Sequence, residues 1–61
     1  MIPMTQQELK ERILFRSQVL KWLEECLNAH KHDSDPTMRN GFAQDFVDFT
    51  NEQLKDLALV A

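Results

Sequence analysis

Between Gln6 and His30 nothing interrupts a helix: 25 consecutive residues contain neither proline nor glycine, and strong helix formers dominate. The stretch opens on Thr5-Gln6-Gln7-Glu8, a capping box in which the Thr5 hydroxyl can accept from the backbone N–H of Glu8 while Glu8 reaches back to Thr5. Met4 and Leu9 stand where a hydrophobic staple places its two side chains. A helix from about 6 to 30 is therefore predicted. At its end, His30, Lys31 and His32 suit the negative pole of the helix dipole.

Projected at about 100° per residue, this helix gathers Leu9, Ile13, Phe15, Val19, Leu20, Trp22, Leu23, Cys26 and Leu27 on one arc of roughly 180°. A helix with one neighbour typically needs a stripe a little over 100° wide, so the surplus predicts a second neighbour. The surplus edge runs through Phe15, Val19, Trp22 and Cys26. Arg12 and Arg16 fall inside the arc. Either their stems lie over apolar surface with the heads in water or on a carboxylate, or they meet an acidic residue across a subunit interface. Leu14 falls on the opposite, charged face.

His32-Asp33-Ser34-Asp35-Pro36 breaks the helical pattern. Asp35 is a good N-cap and Pro36 a good first helical residue, so a turn over 31–35 and a second helix from about 36 are predicted. A connection this short makes the helices antiparallel neighbours. Phe42, Phe46 and Phe49, with Met38 one turn earlier, form a stripe for the first helix. Gly41 costs about 1 kcal/mol relative to alanine in a helix interior.

Phe49-Thr50-Asn51-Glu52-Gln53-Leu54-Lys55 repeats the layout of Met4-Thr5-Gln6-Gln7-Glu8-Leu9-Lys10, and Leu54 and Leu57 leave the phenylalanine stripe. A break near Thr50 is therefore expected, with helices over about 36–49 and 51–60. One continuous second helix is the alternative. The expected fold is a single all-α domain over 1–61: an antiparallel helical hairpin with a kinked second arm or short third helix, assembling as a dimeric helix bundle.

Size supports the dimer. A 60-residue chain buries only about 60% of the surface that its unfolded form exposes, and a single cysteine cannot form an internal disulfide. No apolar run approaches the roughly 20 residues that span a bilayer. Met1-Ile2-Pro3-Met4-Thr5 lacks the basic-then-apolar layout of a signal peptide, so a cytoplasmic location is expected.

The net charge is −3, with the two signs unevenly spread. Five basic residues face four acidic ones through Lys31, and two face six from His32 onward. The imbalance favours packing the halves together and disfavours broad phosphate-backbone contact, which needs uncompensated positive charge. A helix-turn-helix DNA-binding regulator, with 51–60 as its recognition helix, is the alternative function. That helix offers Asn51, Gln53 and Lys55, but also Glu52 and Asp56.

Catalytic and cofactor signals are weak. Cys26, His30 and His32 with Asp33 or Asp35 carry zinc-ligating atoms, yet Cys26 lies mid-arc as a small apolar side chain would, and the histidines suit the helix end. Asp33-Ser34-Asp35 lacks the glycine of an EF-hand loop, where Met38 stands. Glu24 and Glu25 diverge around the helix and cannot act as an acid/base pair. No metal, cofactor or enzymatic activity is expected; an interface of Phe15, Val19, Trp22, Cys26, Arg12 and Arg16 is.

In its length, acidic balance and helical-hairpin layout, with Thr5-Gln6-Gln7-Glu8-Leu9-Lys10 and Asp35-Pro36 as helix starts, the chain resembles the small accessory proteins encoded in the early, non-essential regions of lambda-like temperate phages. The resemblance implies a host-modulating protein that binds bacterial or phage regulatory factors and influences the choice between lysis and lysogeny.

Overall fold

The structure, a computed structural model, describes residues 4–61. Met1, Ile2 and Pro3, part of the segment that lacks a signal-peptide layout, lie outside the described residues. Two helices, α1 (Gln6–Ala29) and α2 (Thr37–Leu57), pack against each other as an antiparallel hairpin. Among the described residues no strand occurs, and no helix is long and apolar enough to cross a membrane.

α1 begins where its capping sequence predicts. Thr5 is extended and its hydroxyl accepts from the N–H of Glu8 at 3.1 Å. Leu9, one staple partner, is buried, whereas Met4 stays largely exposed. The chain leaves α1 at His30, whose N–H bonds to the carbonyl of Cys26. The turn after it closes on itself: the Asp33 N–H donates to the His30 carbonyl, and Arg39 reaches back to the carbonyls of Lys31 and Asp33. α2 starts one residue later than expected, with Pro36 as its cap. Asp35 still serves the first turn, because its Oδ1 accepts from both the N–H and the hydroxyl of Thr37.

The expected break at Thr50 does not occur. α2 runs without interruption through Thr50 to Leu57, so the separate helix 51–60 is replaced by the last turns of α2 and a short tail. The reason lies in the residues beyond Phe49. Phe42, Phe46, Phe49, Gln53 and Asp56 are spaced +4, +3, +4, +3, which keeps one helical face turned toward a single neighbour. The stripe therefore does not end at Phe49; it changes from apolar to polar. Capping-box chemistry at Thr50 is outweighed because a break would take Gln53 and Asp56, both buried, off the seam.

The tail folds back toward the start of α1. Gln6 Nε2 donates to the Leu59 carbonyl and the Ala61 N–H donates to Gln6 Oε1. Gly41 faces open space: a Cβ there would meet nothing within 4 Å. Its glycine serves no close approach, so Gly41→Ala should stabilise the fold by about 0.5–1 kcal/mol through helix propensity and reduced unfolded-state entropy. Leu23, 1% exposed, is the central apolar anchor. Leu23→Ala should cost about 3 kcal/mol; urea denaturation followed by circular dichroism measures both effects.

Candidate functional site

The seam between the helices has two chemistries. Near the turn it is aromatic. His30 stacks on Phe42 with ring centroids 5.6 Å apart, and Trp22 meets the same ring edge-on at 5.9 Å. His30 Nδ1 also lies 2.6 Å from Asp33 Oδ2, so two of the residues with zinc-ligating atoms are partners of each other within the turn. Among the described residues, no three His, Cys, Asp or Glu side chains converge on one point.

At the open end the seam is polar. Arg12 and Arg16 lie one turn apart on α1, and Gln53 and Asp56 are matched by i,i+3 spacing on α2, so each pair shares one helical face. Arg12 grips Asp56 in two places, Nε to Oδ2 at 2.8 Å and a terminal nitrogen to Oδ1 at 2.6 Å. Arg16 bonds both Asp56 Oδ2 and Gln53 Oε1. The Gln53 amide donates to the Ile13 carbonyl at 2.8 Å and to Ser17 Oγ at 2.9 Å, and Ser17 in turn donates to the same carbonyl. No buried side-chain nitrogen or oxygen among the described residues lacks a partner.

The two guanidinium groups, Arg12 foremost, hold the Asp56 carboxyl below its ordinary value of 3.8, against the opposing effect of desolvation. Asp35 is lowered as well, chiefly by the Thr37 hydroxyl. The carboxylate that answers Arg12 and Arg16 is thus supplied by the same chain. Sequence reasoning missed Gln53 and Asp56 as seam residues. Leu9, Arg12, Arg16, Val19, Leu23, Cys26 and His30 advance by alternating steps of three and four, and the same rhythm on α2 ends in an acid opposite the two arginines. Charge matching between the two heptad-like series was the available signal.

The remaining predicted residues sit beside this seam. Phe15 is 68% and Trp22 55% exposed, while Val19 and Cys26 are half-buried. Helical spacing and the cross-helix bonds place the apolar surface on two sides. Phe15, Trp22 and Phe49 lie on the side of the Arg12–Asp56 pair; Ile13, Leu20, Val47 and Leu54 lie on the side where Gln53 meets Ser17. Sequence reasoning located the first side and missed the second. A shallow furrow of about 480 Å³ runs beside Lys21, Glu24, Leu27 and Lys31, all from α1 and its end; the two helices do not build it together.

No protein-family model, curated protein or solved structure matches the chain.

Because Asp56 titrates lower in the folded than in the unfolded state, its contribution to stability is fully present above about pH 4. It is lost as the pH falls through the lowered value. Asp56→Asn should reduce the thermal midpoint at pH 7 by several degrees and flatten the acid limb of a stability-against-pH profile. Calorimetry from pH 7 downward checks both outcomes.

Proposed function

We propose that this chain is a non-enzymatic accessory protein that acts by binding other proteins and associates with a second copy of itself. One observation carries the reading. Among the described residues, only Leu9 and Leu23 are buried apolar side chains, against eleven large hydrophobic residues at least 37% exposed. Two helices cannot enclose side chains that project to both sides of their common plane. A compact folded chain of 7.2 kDa would present roughly 4,100 Å², whereas this one presents 4883 Å². The surplus of several hundred Å² approaches the roughly 800 Å² that each partner contributes to a stable interface.

Charge selects the side for self-association. Ile13, Leu20, Val47 and Leu54 are bordered by Lys10, Lys21 and Glu24, a mixed rim that a two-fold axis can bring together without stacking like charges. Two hairpins joined there make a four-helix arrangement. The aromatic side remains for a different protein.

The resemblance to early-region proteins of lambda-like temperate phages extends this reading to a modulator of host or phage regulatory factors within the bacterial cytoplasm. A DNA-binding role gains no support: residues 51–57 continue α2 rather than forming a separate recognition helix, and Lys10 and Lys21 are diluted by Glu24 and Glu25 on α1.

Light scattering at tens of micromolar should give twice the chain mass for the wild type. Leu54→Lys places a charge at the centre of the proposed dimer contact and should weaken association by tenfold or more, on the order of 1.4 kcal/mol. Its helical circular dichroism should persist. A wild-type monomer mass overturns self-association.

A further inference from the structure

We infer that the side formed by Phe15, Trp22 and Phe49 is a docking surface for an amphipathic helix with lysine or arginine along its flanks. The inference rests on the reading of this chain as a protein-binding module and names the chemistry of the bound partner. Phe15, Val19, Trp22 and Cys26 follow i, i+4, i+7, i+11, a ridge of about three turns or roughly 16 Å at 1.5 Å per residue. Phe49 of α2 borders it, 40% exposed. A ridge of this length beside a second helix accommodates the apolar stripe of one added helix. Aromatic side chains of this kind commonly supply most of the energy of such contacts.

The rim decides what kind of helix. Helical spacing puts Glu8 and Glu11 at one end of the ridge and Asp45 and Glu52 along its α2 edge, all exposed. The cations nearby are already engaged. Arg12 is held by Asp56, and Lys55 pairs with Glu52 at 3.3 Å. Glu8, Glu11 and Asp45 have no cation within salt-bridge distance among the described residues. A second copy docked here about a two-fold axis would set acidic rim against acidic rim, which is unfavourable. A partner with basic flanks gains attraction from the same carboxylates, and its cations can lie over the Trp22 and Phe15 rings.

Trp22 is the only tryptophan, so its fluorescence reports occupancy of this side directly. The probes are two synthetic amphipathic helices of about 18 residues, identical in their leucine face and carrying lysine or glutamate on the flanks. The lysine peptide should shift Trp22 emission to the blue and saturate, with affinity falling several-fold between low and physiological salt; the glutamate peptide should not. Combining Glu11→Lys with Asp45→Lys should weaken lysine-peptide binding about tenfold or more, while Leu54→Lys should leave it unchanged. Equal response to both peptides, or loss of response in Leu54→Lys alone, overturns the proposal. So does a blue shift on concentrating the protein without peptide, which means that a second copy covers Trp22. A monomer mass with the lysine-peptide response intact overturns self-association and leaves this docking surface standing.

Discussion

Asp56, gripped by Arg12 and Arg16, is the contact on which the arrangement of this hairpin depends. A carboxylate with 7% of its side chain exposed is costly to place between helices unless its lone pairs are met. Here both oxygens accept from guanidinium groups and the neighbouring Gln53 is satisfied in turn. The arrangement is demanding in geometry more than it is strong. Sliding α2 by one turn would take one of the two arginines from the buried Asp56 and would separate Gln53 from the Ile13 carbonyl and Ser17. Apolar side chains such as Phe46 and Leu23 tolerate several packings of similar energy. The polar cluster singles out one register, as a polar residue at a coiled-coil seam does.

Register in turn decides what faces outward. With Arg12 opposite Asp56, the turn end of the seam brings Phe42 between Trp22 and His30, and Trp22 is only partly covered. Phe15 then stands above the seam rather than within it. The same rotation of α2 that buries Gln53 and Asp56 carries Val47 and Leu54 to the other side of the hairpin. A two-helix structure has two open sides, and this sequence made both apolar. One is rimmed by carboxylates and the other by charges of mixed sign, and the proposals of two different partners rest on that difference.

Much of the fold can be read from local chemistry. Thr5 caps α1, Asp35 serves the first turn of α2, and an uninterrupted run of helix formers joins Gln6 to Ala29; each of these acts over a few residues and needs no knowledge of the rest of the chain. The same local reasoning failed at Thr50. Its capping pattern copies that at Thr5, but the N-terminus of α1 is free to begin at a cap, whereas Thr50 sits inside a helix already held by neighbours on both sides. Propensity at Thr50 competes with the buried bonds of Gln53 and Asp56, and the buried bonds prevail because leaving polar groups unpaired between helices costs more than a cap returns.

The apolar arc of α1, wider than one neighbour covers, was likewise present in the sequence, and with it the exposed edge through Phe15 and Trp22. The sequence by itself determined that this chain is an all-helical hairpin with a short turn after α1, and that α1 carries more apolar surface than one neighbour can cover. Only the tertiary structure decided that α2 is continuous, that Arg12 and Arg16 find their acid within the chain, and that a second apolar side exists. Those features depend on which residues stand opposite each other across the seam. Helical periodicity specifies a face of one helix but not its register against another, and here the register follows from the pairing of a buried carboxylate with two arginines 40 and 44 residues away in sequence.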